Sequence, residues 1–188
     1  MTVTPRLFLV VLGGRTATSH IELHDVRWVV GTDIESTIPA LKQQWFGLKR
    51  GLHIDSYVTI NQVDGYRVEL VPDHQEWTAR DDSKQIKGSD QLWFVNLGGY
   101  DSASLQELHQ FGLIVAPNRQ AAKARARRRW LNKACQVHKD DLYGIGKVSI
   151  VDDCLPIAGL EGWRIVLKPE PSARVEDLKP DWCGYRLI

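Results

Sequence analysis

Histidine and carboxylate residues recur in one short pattern in both halves of the chain. In each half a Glu and a His stand two residues apart, and further along a His and an Asp stand two residues apart. The eight residues are Glu22, His24, His53, Asp55, Glu107, His109, His138 and Asp140. On an extended strand, side chains two residues apart point to the same face. If the two segments of one half are neighbours, two imidazoles and two carboxylates meet at one place.

This set of side chains has two chemical interpretations and one structural interpretation. Imidazole and carboxylate groups bind divalent transition metal ions, and they also act as general acid–base pairs. In the structural interpretation they form buried hydrogen bonds that hold the adjacent glycine turn. We favour the structural interpretation, because a shared fold alone explains why both halves retain these residues.

The eight residues belong to a longer internal repeat. A gap of seven residues separates Leu12-Gly13-Gly14 from Glu22-Leu23-His24. The same gap separates Leu97-Gly98-Gly99 from Glu107-Leu108-His109. A motif that recurs at fixed spacing indicates one structural unit built twice. The glycine pairs are interpreted as turns, since neither nucleotide-binding glycine pattern is complete around them.

Each unit is predicted to fold as strand, strand, helix, strand, strand. Runs of branched and aromatic residues that stop at glycine or at a turn indicate the strands. Apolar residues at helical spacing after an Asp or Asn cap indicate the helix. The first unit has predicted strands over 7–12, 26–30, 53–61 and 66–71 and a helix that ends at Gly47. The second has predicted strands over 92–97, 111–115, 138–145 and 162–165 and a helix over 118–131.

The predicted fold class is therefore α+β, with two tandem ββαββ repeats related by pseudo-twofold symmetry. One helix of each repeat is expected to pack on an antiparallel or mixed sheet. A single repeat buries too little apolar surface to be stable alone, so the two sheets are expected to pack face to face or side by side. The predicted boundaries are 1–72 for the first repeat, 73–90 for a linker, 91–168 for the second repeat, 149–159 for an insertion within it, and 169–188 for a tail with a candidate terminal strand.

The helix of the second unit is strongly basic. It carries Lys123, Arg125, Arg127, Arg128 and Arg129, whereas the equivalent stretch 42–44 of the first unit is Lys-Gln-Gln. Such a helix, over 119–133, suits either an acidic protein surface or the phosphates of nucleic acid. A solvated face or a protein contact is favoured, because the formal net charge is only +1 and no aromatic residues are interleaved with the arginines.

Several phrases of the first unit resemble a known family. They are Leu-Phe-Leu-Val-Val-Leu-Gly-Gly at 7–14, Ile-Glu-Leu-His-Asp-Val at 21–26, Gln-Trp-Phe-Gly at 44–47, Leu-His-Ile-Asp-Ser-Tyr at 52–57 and Val-Asp-Gly-Tyr-Arg-Val at 63–68. Together they resemble a bacterial family catalogued as domain of unknown function 1543. The resemblance covers the first copy well and the second more loosely. It implies a bacterial origin and a duplicated domain, and it brings no activity and no catalytic residue.

The composition indicates the general class of protein. With 43% hydrophobic and 25% charged residues, the 188-residue chain is typical of a globular protein. No apolar run approaches the roughly 20 residues of a membrane-spanning helix. Cys135, Cys154 and Cys183 fall in no disulfide, redox or metal-type spacing, which favours a reducing cytoplasm.

These observations predict a non-catalytic, cytoplasmic binding or interaction protein that recognises a protein partner. The first alternative is a metal-assisted enzyme of the hydrolase type that uses the His, Glu and Asp sets of each repeat. The second alternative is nucleic-acid binding through the basic helix, which the charge balance disfavours. No cofactor is expected beyond the divalent metal ion of the first alternative, no membrane contact is expected, and the oligomeric state is left open.

Overall fold

The computed structural model describes residues 4–73, 89–100, 105–130, 150–160, 162–170 and 178–188. These residues form eleven strands and two helices. In chain order they are β1 (Arg6–Gly14), β2 (Leu23–Gly31), α1 (Ile34–Gln44), β3 (His53–Ile60), β4 (Gln62–Val63), β5 (Tyr66–Pro72), β6 (Gln91–Tyr100), β7 (Glu107–Ala116), α2 (Arg119–Arg129), β8 (Ile150–Pro156), β9 (Gly159–Leu160), β10 (Trp163–Pro169) and β11 (Trp182–Leu187). In this part of the chain, neither helix has the length and apolar character needed to cross a membrane.

The chain divides into two compact units. The first unit consists of Met1–His74 together with Gly159–Ile188, and the second consists of Gln75–Ala158. The last strands of the chain, β9 to β11, therefore belong to the first unit.

The first unit is built around β1, whose branched and aromatic side chains are almost all buried. β1 pairs antiparallel with β2 on one side and β3 on the other, and β11 pairs with the outer edge of β3. The resulting sheet, which we call sheet A, has the order β11-β3-β1-β2. α1 contributes Ile34, Leu41 and Trp45 to the core that contains Phe8 and Leu12 of β1.

A local signal sets the start of α1. The carboxylate of Asp33 accepts a hydrogen bond from the Ser36 backbone N–H at 2.8 Å, and the Asp33 backbone N–H donates to Ser36 Oγ at 3.3 Å. This reciprocal pair satisfies donors that the first helical turn leaves without a partner. The helix therefore begins where β2 ends, and Trp45 follows its last turn.

The first unit contains a second antiparallel sheet, which we call sheet B, with the order β4-β5-β10-β9. The hairpin of β4 and β5 turns at Asp64 and Gly65, which have φ values of 53° and 81°. Positive φ at both turn residues is the requirement of the tight hairpin turn for which Asp-Gly is favoured. β5 then pairs with β10 along its whole length, from Tyr66 opposite Pro169 to Pro72 opposite Trp163.

The second unit contains one described sheet, which we call sheet C, with the order β7-β6-β8. α2 packs against all three strands. The shared core consists of Trp93, Val95, Leu97, Ile114, Ala116, Ala122, Ala126, Trp130 and Cys154. The indole N–H of Trp93 donates to the Ala116 carbonyl at 3.0 Å, so a buried tryptophan links β6 to β7. Asn118 caps α2 by accepting from the Ala121 backbone N–H at 2.9 Å.

The predicted fold class is wrong. The described residues are mostly strand and form three antiparallel sheets, and they do not form ββαββ repeats of the α+β class with one four-stranded sheet each. The physical reason is strand pairing. The fourth predicted strand of each copy, β5 and β10, leaves the sheet of its own copy and pairs with its counterpart, and β11 takes the outer position beside β3.

The third strand of the second copy also differs from expectation. The predicted strand over 138–145 lies outside the described residues. The strand that pairs with β6 on the side away from β7 is β8, which falls in the stretch predicted to be an insertion. Periodicity identifies an extended segment but contains no information about its partner strand, so the sequence could not assign this pairing.

The described cysteines provide a test of the core of the second unit. Burial raises the pKa of the Cys154 thiol, although the charges of Arg119 and Lys123 oppose this. Because only the thiolate reacts with alkylating agents, Cys154 should be alkylated far more slowly than exposed Cys183 at mildly alkaline pH. Peptide mapping by mass spectrometry after timed exposure to iodoacetamide measures both rates, with denatured protein as the control. Equal rates in the native protein would contradict the packing of Cys154 in this core.

Candidate functional site

The candidate site lies at the end of sheet A where β1 reaches Gly13. In the register of the sheet, Gly13 stands opposite His24 of β2 and also opposite His53 of β3. Residues opposite one another on neighbouring strands have side chains on the same face. Since Gly13 has no side chain, the two imidazoles that flank it can approach across the central strand.

The space above Gly13 is filled by these neighbours. A Cβ atom at Gly13 would lie 2.8 Å from Asp55 Oδ2 and closer still to His53 Nε2. Both positions are too close for a real side chain, so glycine is required here by packing. This explains physically why a glycine follows the buried run of β1.

Two carboxylates complete the group. His53 Nε2 lies 3.2 Å from Glu22 Oε1 and 3.2 Å from Asp55 Oδ1. His24 Nε2 lies 3.4 Å from Asp55 Oδ2 and 3.9 Å from Glu22 Oε2. We call Gly13, Glu22, His24, His53 and Asp55 the Gly13 cluster. The structure therefore brings together all four residues that the sequence predicted for the first copy.

Asp55 reaches the cluster from an irregular position in β3. Leu12 pairs with Ile54, but the next residue of β1, Val11, pairs with Ser56, so Asp55 is the extra residue of a β-bulge. A bulge bends the strand locally and changes the direction of a side chain. The sequence showed the spacing of His53 and Asp55 but gave no sign of this bulge.

His53 is the buried centre of the cluster, with 1% of its side chain exposed. Its Nδ1 lies 2.8 Å from the Gly51 carbonyl oxygen. A carbonyl only accepts, so Nδ1 carries the hydrogen and Nε2 is directed at the two carboxylates. The contacts of Nε2 with these oxygens are hydrogen bonds in the imidazolium form of the ring.

Tyr185 covers the His53 ring from β11. The two ring centroids are 4.1 Å apart and the ring planes are inclined by 35°. The tyrosine itself is 65% exposed, so one aromatic side chain joins the buried histidine to the surface. Tyr185 was missed as a site residue because it comes from the far end of the chain, and the sequence did not reveal the pairing of β11 with β3 that brings it to His53.

The cluster opens to solvent on the side of His24 and Glu22, whose side chains are 55% and 39% exposed. Asp55 Oδ2 is buried and has no hydrogen-bond partner among the described residues, although His24 Nε2 is near it. A buried carboxylate oxygen without a donor is energetically unfavourable. A donor from a bound group would relieve this cost.

Exposed apolar side chains also lie near the end of β1. The Phe46 ring packs on Trp45 with centroids 4.6 Å apart, and the Trp45 indole in turn lies against the position of Gly14. The indole N–H of Trp45 donates to the carbonyl of Leu48 at 3.1 Å, which holds this loop beside β1. Gly14 and Trp45 belong to the face of sheet A that packs on α1, opposite the face of Gly13. Two exposed apolar residues adjoin the cluster itself, Ile21 next to Glu22 in the chain and Tyr185 on the His53 ring, and we call them the apolar rim.

The corresponding place in the second copy is built differently. Gly98 stands opposite His109 of β7, and His109 Nε2 lies 3.5 Å from Glu107 Oε2. On the other side, however, Gly98 stands opposite Ile150, at the register position that His53 occupies in the first copy. His138 and Asp140 lie outside the described residues. Within the described ranges, therefore, a glycine between two histidines occurs in the first copy alone.

The described residues do not contain the arrangement of ligands that the predicted metal site requires. Across residues 4–73, 89–100, 105–130, 150–160, 162–170 and 178–188, no group of three or more His, Cys, Asp or Glu side chains is arranged to hold a metal ion. In the Gly13 cluster the histidine nitrogens instead face the carboxylates of the same cluster.

The basic residues predicted for partner binding lie on α2 in the second unit. Arg127 and Arg128 are exposed, whereas Lys123, Arg125 and Arg129 are half-buried. The Arg125 side chain donates a hydrogen bond to the Val115 carbonyl of β7, in the sheet on which α2 packs. It therefore contributes less to an outward-facing surface than the sequence suggested.

Known proteins match this chain in a way that reflects its internal repeat. A family model described as Domain of Unknown Function (DUF1543) matches residues 19–70 and again residues 104–155. The crystal structure of a protein Il1583 from Idiomarina loihiensis is similar, with 31% sequence identity and a TM-score of 0.68 over 98% of each chain. No curated protein matches the chain.

The contact between Tyr185 and His53 provides a test of the site. Replacement Tyr185→Ala should expose the His53 ring, so that its modification by diethyl pyrocarbonate accelerates toward the rate of exposed His24. Mass spectrometry of the modified peptides measures both rates, and Tyr66→Ala on β5 is the control that should leave His53 slow. A His53 rate that Tyr185→Ala leaves unchanged would show that β11 does not cover this ring.

Proposed function

The chain belongs to the DUF1543 family and carries two copies of its domain, and on this premise we propose that it is a non-catalytic binding protein. Its first copy binds a positively charged nitrogen group of a protein partner at the Gly13 cluster. The group is the ammonium of a lysine or the guanidinium of an arginine side chain.

The observation that carries this proposal is the buried oxygen of Asp55. It makes no hydrogen bond with the described residues, with His24 Nε2 3.4 Å away, and it lies beside a second carboxylate, Glu22, that is partly open to solvent. With neutral histidines the two carboxylates give the cluster two negative charges, and with His53 protonated one negative charge remains. A cationic N–H donor supplies both the missing hydrogen bond and the missing charge.

The surroundings support a side chain rather than a free ion as the ligand. The apolar rim places one exposed aromatic and one exposed aliphatic side chain beside the charged opening. Lysine and arginine combine a charged end with an apolar stem, so they suit a charged centre with an apolar border. A cation beside the exposed Tyr185 ring also gains favourable contact with the aromatic face.

The rigidity of the cluster also supports binding. His53 is held by the Gly51 carbonyl on one side and by the carboxylates on the other, and Tyr185 packs on its ring. Side chains that are already ordered lose little entropy when a ligand arrives. The entropy cost of ordering the His53 ring is therefore small when a ligand binds.

We also propose a bacterial origin, which the family resemblance implies, and a cytoplasmic location. Cys154 and Cys183 are both free thiols, and this state is typical of a reducing compartment. Cys154 is moreover buried, where a thiol acts as a small apolar side chain of the core.

Binding of a cationic group is testable with small probes. Nα-acetyl-arginine amide and Nα-acetyl-lysine amide should shift the imidazole NMR signals of His24 and His53 with millimolar affinity, as expected for a single charged contact. Nα-acetyl-citrulline amide has nearly the shape of the arginine probe but no charge, and it should leave the signals unchanged.

Variants in each copy of the domain show which copy binds the cationic probes. The double variant Glu22→Gln with Asp55→Asn should abolish the shifts, since it removes both negative charges at nearly constant shape. Glu107→Gln, which removes the corresponding carboxylate of the second copy, should leave them intact. Shifts of the same size with the citrulline probe, or no shifts with either cation, would refute the proposed ligand.

A further inference from the structure

Positive charge is concentrated on the helix α2, in the second copy and outside the Gly13 cluster. Its eleven residues, Arg-Gln-Ala-Ala-Lys-Ala-Arg-Ala-Arg-Arg-Arg, contain no acidic residue in the first turn and arginines throughout the last turn. The chain as a whole has a formal net charge of +1. The positive charge of α2 is therefore a local feature.

Three of the cations form a row along the helix. Arg119, Lys123 and Arg127 are separated by four residues each, and side chains at this spacing are neighbours on one face of a helix. Arg119 and Arg127 are exposed and Lys123 is half-buried. Like charges at this spacing destabilise a helix, so the row is unfavourable for the isolated protein.

The helix dipole does not account for the whole row. Cations are favourable in the last turn of a helix, which accounts for Arg127, but they are unfavourable in the first turn. Arg119 is the first residue of α2, and Lys123 follows one turn later. Neither position gains from the dipole.

The fold does not require these charges either. α1 packs on sheet A as α2 packs on sheet C, and its only charged residues are Glu35 and Lys42. In α2 the structural contacts come from the Asn118 cap, from buried Ala122 and Ala126, from Arg125, which donates to the Val115 carbonyl, and from Arg119, whose side chain contacts the Cys154 thiol. A helix with almost no net charge therefore serves the same structural purpose in the first copy.

From these observations we infer that the row of Arg119, Lys123 and Arg127 is a second binding surface, which takes an acidic segment of a partner protein. Charge complementarity identifies the occupant as negatively charged. A protein is favoured over a nucleic acid because the tryptophans packed against α2, Trp93 and Trp130, are buried and unable to stack on bases. The inference rests on α2 alone and is independent of the Gly13 cluster.

Fluorescence anisotropy with a labelled oligoglutamate peptide tests this surface. The peptide should bind the full-length protein at low salt, and its affinity should fall as salt is added. The triple variant Arg119→Gln, Lys123→Gln and Arg127→Gln should weaken binding by about tenfold or more. Glutamine has nearly the same helix propensity as lysine and arginine, so α2 should remain folded, and circular dichroism verifies this.

A matched control removes the same charge from the first copy. The triple variant Lys42→Gln, Lys49→Gln and Arg50→Gln should bind the peptide as the unmodified protein does. If both variants lost the same affinity, binding would depend only on the net charge of the protein, and the inference would be overturned. Absence of binding at low salt would overturn it too, as would tighter binding of a short DNA duplex or a short single-stranded RNA than of the peptide.

Discussion

The absence of a side chain at Gly13 is the constraint on which the candidate site depends. Gly13 pairs with a histidine on each side, and a Cβ atom there would collide with Asp55 and His53. Glycine inside a strand costs about 0.5–1 kcal/mol relative to a residue with a side chain. In return, the space above Gly13 lets two imidazoles and two carboxylates meet over the central strand, where Tyr185 covers the His53 ring.

The two copies of the domain use one framework for different surfaces. Both place a glycine of the central strand opposite a histidine, and both have a bulge in the strand on the other side, with Asp55 and Asp152 as the extra residues. They differ opposite the glycine, where His53 in the first copy corresponds to Ile150 in the second. On our account the first copy presents a negatively charged site and the second a positively charged helix.

Local features of the fold were predictable from the sequence, whereas strand pairing was not. The strand predicted over 7–12 lies over Arg6–Gly14, and Asn118 caps α2 as its residue type indicated. Such signals depend on neighbouring residues. The pairing of β5 with β10, and of β11 with β3, joins segments far apart in the chain, and no periodicity reveals it.

The same distinction applies to the candidate site. The spacing of Glu22 with His24, and of His53 with Asp55, predicted which residues share a face. That the two pairs meet at one place was an assumption, because the sequence did not show that β2 and β3 both lie beside β1. Tyr185 and the bulge at Asp55 had no local signal. The prediction that His138 and Asp140 correspond to His53 and Asp55 assumed a constant spacing of the repeat, and the described strand beside β6 is Ile150–Pro156.

A crystal structure of the Gly13→Ala variant tests the central claim most directly. The account predicts that the new methyl group displaces the His53 ring, so that Nε2 loses its 3.2 Å contacts with Glu22 and Asp55 while β1 keeps its pairing with β2. A variant structure in which His53 Nε2 still lies 3.2 Å from both carboxylates would contradict it, because the cluster would then form without the space that glycine provides.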